Sequence, residues 1–293
     1  MPPVERFVSA GGLRLHVRDW GGPASRPPVL LVHGLASNAR IWDLVASRLA
    51  GSLRVAAHDQ RGHGRSDKPD AGYDFASVTA DLAAVCGALG FERPLVVGHS
   101  WGAAVALQLA ADCTVPLSGV ALVDGGTFDF AAMMSPADAR RRLTPPRLSG
   151  TPLAEFVHGM RTRWLRELWS PEVEEIVLAN FEVDEAAHIH PRLSFDNHMQ
   201  VVDAMVAQRP GELFPRVACP ALIIPAAPPV MDDEAARWMQ IKRASVAAAE
   251  QAIPYARVAW AEQSVHDIPL HRPELLASLL ADFAHSITRP VER

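Results

Sequence analysis

A serine set between two glycines, directly after a short apolar run, constrains the fold of this chain more than any other feature. The run is Leu95–Gly98, the motif Gly98–Gly102 reads GHSWG, and an apolar helix pattern follows it. This is G-x-S-x-G in a strand–turn–helix context. A serine on so tight a turn has a strained backbone, and the positions two before and two after it must be small to avoid collision. The turn presents the Ser100 hydroxyl beside a helix N-terminus, which favours developing negative charge.

Short β-rich runs alternate with longer helix patterns along most of the chain. Several of these runs are continuously apolar, which is typical of parallel strands covered on both faces. The predicted strands are Leu13–Trp20, Val29–His33, Arg54–Asp59, Leu95–Gly98, Gly119–Asp124, Ala221–Pro225 and Arg257–Ala261. The predicted helices are Ile41–Leu49, Ser77–Leu89, Trp101–Ala111 and Glu274–His285. This order predicts an α/β fold with a mostly parallel central sheet flanked by helices.

One interval of about 95 residues, between Asp124 and Ala221, lacks a convincing buried strand and is far longer than an ordinary connection. Its helix patterns are Leu153–Trp169, Pro171–Asn180 and Asn197–Gln208. We therefore predict a core formed by residues 1–126 and 215–293 and a helical insertion at 127–214. Large apolar side chains of the insertion are either its own core or part of a pocket. The candidate pocket residues are Met133, Met134, Trp164 and Trp169.

Composition and charge exclude several classes of protein. Lys and Arg number 28 and Asp and Glu 33, which gives a net charge of −5 and no basic excess to attract nucleic acid. The longest apolar runs are far shorter than the ~20 residues that span a bilayer, and the first residues form no apolar signal-peptide core. The three cysteines form no C-x-x-C, so the sequence indicates neither a disulfide framework nor a zinc site built on cysteines. We expect a cytoplasmic protein without a membrane span or a nucleic-acid partner, and the oligomeric state stays open.

A serine nucleophile needs a base, and the base needs a carboxylate that orients it. Among the 12 histidines, His266 stands out because it follows the last predicted strand by a short loop. The acid has two possible positions. Asp124 ends the strand after that of the nucleophile, whereas Asp232 and Asp233 come late in the loop after Ala221–Pro225. We favour Asp124, because the carboxyl end of a neighbouring strand is well placed to reach the histidine.

Acyl transfer also needs N–H donors for an oxyanion. The backbone N–H groups of Leu35, after the strand VLLV, and of Trp101, after the serine, are the candidates. A metal cluster of His188, His190 and His198 is disfavoured because Pro191 follows the H-x-H directly. We predict neither a metal nor a cofactor.

With these segments the chain resembles the α/β-hydrolase superfamily, in the branch with a helical cap inserted after the sixth strand. The segments that carry the resemblance are His33–Trp42, Asp59–Pro69, Gly98–Gly102, Gly119–Gly126 and Ser264–Glu274. The resemblance implies that Ser100 is the nucleophile, that His266 is the base, and that Leu35 and Trp101 form the oxyanion hole.

The chain departs from most such families after the seventh strand, where they place the acid and this chain has residues 226–229 (AAPP). Haloalkane dehalogenases place their acid after the sixth strand, as Asp124 would be. Those enzymes and the related epoxide hydrolases carry an aspartate as nucleophile, however, so Ser100 speaks against both activities. A degraded triad at the seventh strand is the other explanation of the departure.

The predicted function is hydrolysis of a carboxylic ester or lactone through an acyl-enzyme intermediate, on a mid-sized hydrophobic substrate. One alternative is a C–C bond hydrolase or a proline-iminopeptidase-like amidase that uses the same three residues. A second alternative is a small-molecule receptor without catalysis on the same fold.

Overall fold

The computed structural model describes residues 2–24, 26–229 and 232–287, without the side chain of Trp164. The strands, in chain order, are β1 (Val4–Ala10), β2 (Leu13–Gly21), β3 (Val29–Val32), β4 (Val55–His58), β5 (Leu95–His99), β6 (Gly119–Val123), β7 (Thr151–Pro152), β8 (Phe181–Val183), β9 (His188–Pro191), β10 (Ala221–Ile224), β11 (Ala226–Ala227), β12 (Ala256–Val258) and β13 (Ala261–Glu262).

The α-helices, in the same order, are α1 (Asp43–Leu49), α2 (Phe75–Ala88), α3 (Trp101–Asp112), α4 (Phe130–Met133), α5 (Pro136–Leu143), α6 (Leu153–Gly159), α7 (Pro171–Leu178), α8 (Phe195–Ala207), α9 (Pro210–Leu213), α10 (Asp233–Ala252), α11 (Ile268–His271) and α12 (Pro273–Ser286). Short 3-10 turns precede α1 and follow α9. Within the described ranges, none of these helices has the length and hydropathy to cross a membrane.

The central sheet has eight strands in the order β1-β2-β4-β3-β5-β6-β10-β12. The pairs β1–β2 and β2–β4 are antiparallel, and all the pairs from β4 to β12 are parallel. Strands β3, β4, β5, β6 and β10 are buried along their whole length, as their continuous apolar runs require. The predicted α/β fold with a mostly parallel sheet is confirmed.

Helices cover both faces of this sheet. On one face α2, α3 and α10 pack their buried apolar side chains against alternate residues of the strands. On the other face α1, α11 and α12 do the same. Because successive side chains of a strand point to opposite faces, each buried strand serves both cores. The carboxyl ends of the parallel strands β3, β5 and β6 therefore meet at one edge, and their positions are fixed by packing from both sides.

The segment between β6 and β10 carries helices α4–α9 and a three-stranded antiparallel sheet in the order β7-β9-β8. The small sheet was not predicted because its strands are two to four residues long and do not alternate clearly. The predicted helix Leu153–Trp169 ends at Gly159, where a π-helical turn Met160–Trp164 takes over. Glycine weakens a helix interior, which fits an irregular turn at this point. The division of the chain at residues 127 and 214 stays a prediction.

Four buried histidines lie around the carboxyl ends of β3, β4 and β5. Burial lowers the pKa of His33, His58 and His99 to about 4 and that of His63 to about 3. An unfolded chain binds these protons near pH 6.5, so the unfolded state holds more protons than the folded state between pH 6.5 and about 4. The free energy of unfolding should therefore fall as the pH falls through this range.

The contribution of one histidine can be isolated by removing its titration. In His58→Gln, the loss of unfolding free energy between pH 7 and pH 5 should be smaller than in the wild type by about 2 kcal/mol. Urea denaturation at the two pH values measures the free energy of unfolding of each protein. Taking the difference between the two pH values for the same protein cancels any general destabilisation by the substitution. His158→Gln, on the exposed face of α6, is the control and should behave as the wild type. An equal pH dependence in the wild type and His58→Gln would contradict the account.

Candidate active site

Ser100 occupies the turn between β5 and α3 with φ 55° and ψ −119°, a positive φ that side chains rarely adopt. A Cβ at Gly98 would lie 2.1 Å from the carbonyl oxygen of Gly102. A Cβ at Gly102 would lie 2.4 Å from the carbonyl oxygen of Val32. No side chain fits at either distance: Gly98 lets the turn close onto the start of α3, and Gly102 lets it pack against the end of β3.

His266 lies in the loop between β13 and α11, with its ring between Ser100 and Asp124. Its Nε2 is 3.0 Å from the Ser100 Oγ, and its Nδ1 is 2.7 Å from Asp124 Oδ2. The loss of solvent around the ring lowers the pKa of His266, but the hydrogen bond and the negative charge of Asp124 outweigh this and raise that pKa above its ordinary value. The ring is thus able to accept a proton from the serine and to be stabilised once charged.

Asp124 follows β6 directly and is only 7% exposed. Its Oδ1 accepts hydrogen bonds from the backbone N–H of Ala226 at 2.9 Å and from Lys242 Nζ at 2.8 Å. Burial alone raises the pKa of Asp124, but the hydrogen bond with His266 and the positive charges of His266 and Lys242 lower it to about 2. The carboxylate is therefore ionised at neutral pH, with both oxygens engaged.

Asp232 and Asp233 lie at the start of α10. Asp232 is exposed and caps this helix, its carboxylate accepting the Ala235 N–H at 2.8 Å. Asp233 is exposed in the first helical turn. Among the described contacts neither meets His266, whereas Asp124 does. Of the two positions left open by the sequence, the geometry brings only Asp124 to the histidine.

The loop after β3 passes close to the serine. A Cβ at Gly34 would lie 3.0 Å from the Ser100 Cβ, so the chain reaches Leu35 directly beside the hydroxyl. Trp101 is the first residue of α3, and the N–H of a first helical residue has no partner within the helix. Both predicted N–H donors thus belong to segments that border Ser100.

Two cavities adjoin Ser100 and His266. The first, called here the aromatic cavity, has a volume of about 410 Å³ and includes Phe128, Phe130 and Trp238 in its wall. The rings of Phe128 and Trp238 stack with centroids 5.2 Å apart. The second, the insertion cavity, has a volume of about 230 Å³ and is lined by apolar residues that include Ile41 and Ile176. The wall of the aromatic cavity is mostly apolar, whereas polar and apolar groups contribute about equally to the wall of the insertion cavity.

The structure does not place the predicted pocket residues Met133, Met134 and Trp169 on the walls of these two cavities. Met134 packs instead against the cluster of buried side chains from α5 and α8. The indole of Trp169 donates to Glu174 at 2.8 Å on the outer surface of the insertion. The side chain of Trp164 lies outside the described part of the chain. An irregular insertion lacks the fixed period that would tell inward from outward residues.

Sequence reasoning missed the residues that form the aromatic cavity. Phe128 and Phe130 follow Asp124 closely in the chain, and Trp238 and Lys242 are four apart on α10. Residues four apart share one face of a helix, so this pair was a usable signal once the helix was recognised. An aromatic ring and a lysine on one helix face are common on solvated helices, however, and the sequence alone gave no reason to prefer this pair.

The family model described as the alpha/beta hydrolase family matches residues 29–279 of this chain. The chain belongs to the alpha/beta hydrolase family. N-formylmaleamate deformylase from Pseudomonas putida is 30% identical over 223 residues, which cover 71% of this hydrolase-family chain and 80% of that protein. The alignment with three uncharacterised mycobacterial relatives, 37% identical over 125 residues, spans only 36% of their length.

Solved structures of hydrolases resemble this family member along nearly its whole length. E-2-(acetamidomethylene)succinate hydrolase has a TM-score of 0.78 at 21% identity, covering 97% of this chain and 99% of that chain. The enol-lactonase from Burkholderia xenovorans has a TM-score of 0.70 at 20% identity, covering 96% and 100%. At such identities the likeness concerns the fold.

The two positions for the acid predict different outcomes of one substitution. Asp124→Asn keeps the shape of the side chain but removes the charge and disturbs the tautomer of His266, so kcat on any substrate of Ser100 should fall by about 10³–10⁴. Asp232→Asn is the matched control, because asparagine caps a helix as well as aspartate does, and it should leave kcat within about twofold. Steady-state kinetics measures both. Near-wild-type kcat in Asp124→Asn with a crippled Asp232→Asn would reverse the assignment.

Proposed function

We propose that this protein is a serine hydrolase that cleaves carboxylic esters or lactones through an acyl-enzyme intermediate. The observation that carries the proposal is the continuous line of hydrogen bonds from the Ser100 hydroxyl through His266 to the Asp124 carboxylate. The family supports hydrolysis, and the nature of the bond is the part that we propose. No cofactor is needed for this reaction.

In the proposed mechanism the Ser100 Oγ attacks the substrate carbonyl carbon while His266 Nε2 takes the hydroxyl proton. The carbonyl oxygen becomes an oxyanion, which the backbone N–H groups of Leu35 and Trp101 stabilise. Collapse of this intermediate breaks the bond to the leaving alcohol, which receives the proton from His266. A water molecule then gives a proton to His266 and attacks the acyl carbon. As the bond from this carbon to the Ser100 Oγ breaks, His266 returns the proton to that oxygen, which releases the acid and restores Ser100.

Asp124 has a defined part in this sequence. Its pKa is about 2, so the carboxylate stays ionised and faces the Nδ1–H of His266 throughout. A fixed negative charge next to the ring stabilises the imidazolium that forms when the serine proton moves. The same contact fixes the tautomer that leaves Nε2 free to accept that proton.

The wall of the aromatic cavity supports a mid-sized hydrophobic substrate. Apolar surface predominates in the aromatic cavity, where stacked Phe128 and Trp238 form a flat face. Flat apolar groups bind such faces by burial and by ring stacking.

An amide bond is the second candidate. A sequence relative that is 30% identical over 71% of this chain is a deformylase by its name, and the same three residues perform amide hydrolysis in principle. A C–C bond hydrolase and a receptor without catalysis are weaker alternatives, since no contact or cavity wall among the described residues favours either.

A panel of substrates distinguishes these functions. Aryl esters of graded acyl length, lactones of graded ring size, N-formyl amides and proline arylamides would be assayed by pH-stat with the wild type and with Ser100→Ala. We expect ester or lactone turnover in the wild type and a decrease of about 10³-fold or more in Ser100→Ala. Ser47→Ala, on the exposed face of α1, is the serine-to-alanine control and should keep its activity.

Each outcome of the substrate panel favours one of these functions. Amide turnover without ester turnover would replace the ester proposal with the amidase. Undiminished ester turnover in Ser100→Ala would overturn the mechanism. Silence towards all substrates, with the protein folded, would favour C–C hydrolysis or a receptor.

The role of the aromatic cavity in substrate choice has its own test. Trp238→Ala removes one face of the stacked pair, so kcat/KM for esters with an aromatic acyl group should fall by about tenfold, through KM. The same variant should hydrolyse acetate esters nearly as well as the wild type. Trp169→Ala, which removes an indole from the outer surface of the insertion, serves as the control. Equal losses on aromatic and acetate esters, or a loss in Trp169→Ala, would contradict the assignment.

A further inference from the structure

Lys242 is buried beside the catalytic acid of the proposed mechanism. It lies on α10 and is 6% exposed, which is rare for a lysine unless its charge is paired. Its Nζ donates to Asp124 Oδ1 at 2.8 Å and to the carbonyl oxygen of Ala226 at 3.0 Å. Helix α10 is the first helix after β10 and β11. The lysine therefore comes from the helix that follows the region where related chains are expected to carry the acid.

We propose that Lys242 is a positioning residue for the reaction: it holds the Asp124 carboxylate towards His266 and weakens the basicity of that histidine. The effect of Lys242 on the reaction rate rests on the proposed function. Its effect on the proton affinity of His266 rests on the contacts alone. It concerns a residue that touches the acid and does not touch the reacting atoms.

The positioning part follows from the hydrogen bonds. Asp124 has a positive φ of 42°, a strained backbone conformation that persists only where surrounding contacts hold it. Lys242 and the Ala226 N–H bind the same oxygen, Oδ1, and leave Oδ2 directed at His266. Because the ammonium also binds the Ala226 carbonyl, it fixes the carboxylate relative to β11. Removing it leaves one backbone N–H to hold Oδ1.

The electrostatic part follows from the charges. Asp124 and Lys242 form a buried pair of opposite charge. When His266 accepts a proton, its charge is attracted by Asp124 and repelled by Lys242. The His266 side chain is 55% exposed, so solvent screens both interactions in part, whereas Asp124 and Lys242 themselves are buried. Other titratable groups near His266 are Asp267, its chain neighbour, and His99, whose ring centroid is 4.9 Å away. Arg142 lines the aromatic cavity beside the ring. A further cavity beside His266 is lined by Arg163, Arg166, Glu167 and His271. Among these charged groups Lys242 alone bonds directly to the acid.

The test compares Lys242→Met, which removes the charge and both donors, with Lys242→Arg, which keeps the charge. The pKa of His266 in each resting protein is measured by NMR, with its ring signals assigned from their loss in His266→Gln. The pH profile of kcat/KM is measured on an ester that the wild type hydrolyses. Ser245→Ala is the control on the same helix, because it removes a hydroxyl that bonds to the Lys242 carbonyl at 3.0 Å and leaves the ammonium in place.

In Lys242→Met we expect the pKa of His266 and the acid limb of kcat/KM to move up by about 1 pH unit. We expect kcat on the plateau to fall by about 10–100-fold with little change in KM, since only the alignment of the base is lost. Lys242→Arg should keep both the His266 pKa and kcat close to their wild-type values, and Ser245→Ala should match the wild type in both quantities. Should Lys242→Met not fold, Lys242→Gln, which keeps one N–H donor without the charge, gives the same pKa comparison.

An unchanged His266 pKa in the neutral variants would overturn the proposal, because a merely structural lysine would lower kcat equally at all pH values. So would equal pKa values in Lys242→Arg and Lys242→Met. If no ester, lactone or amide is turned over, the proposed function fails, but the NMR comparison still decides the role of Lys242.

Discussion

The close approach of three chain segments at the Ser100 turn is the constraint on which the rest of the site depends. Besides Gly98 and Gly102, Gly125 also lacks room, since a Cβ there would lie 2.3 Å from the Ser100 carbonyl oxygen. The ends of β3, β5 and β6 can meet around the serine only because these positions carry no side chain. The same contact brings the end of β6, and with it Asp124, next to the nucleophile. The packing of the sheet from both faces keeps this edge in place.

The location of the acid follows from that contact. An acid at the end of β6 lies beside the strand of the nucleophile, and its carboxylate meets His266 without a long loop. At this position Asp124 is almost fully buried, and a buried carboxylate needs partners to remain ionised. The backbone of β11 and Lys242 of α10 supply them. On this view the absence of an acid after β10 and the buried lysine on α10 are two parts of one arrangement rather than signs of a decayed site.

The parts of this molecule that were predictable from sequence are those with a short-range physical signature. The continuous apolar runs of β3–β6 and β10 gave the sheet, and the GHSWG turn gave Ser100 its place at the strand end. His266 and Asp124 were proposed from sequence because each follows a strand, Asp124 directly and His266 after a short loop. The edge strand β1 was missed because most of its residues are exposed, so it lacks a buried run. Pocket residues were assigned poorly: in the insertion, size alone marked Met134 and Trp169, whereas packing directs them away from the serine.

The most direct test of the central claim is covalent labelling of the nucleophile with an alkyl fluorophosphonate, followed by peptide mapping by mass spectrometry. The account predicts one adduct per chain on Ser100, formed rapidly in the wild type, because His266 and Asp124 activate that hydroxyl. The rate of labelling should fall by orders of magnitude in His266→Gln. An adduct on another residue, or no adduct on a folded protein, would contradict the claim that Ser100, His266 and Asp124 work as one catalytic unit.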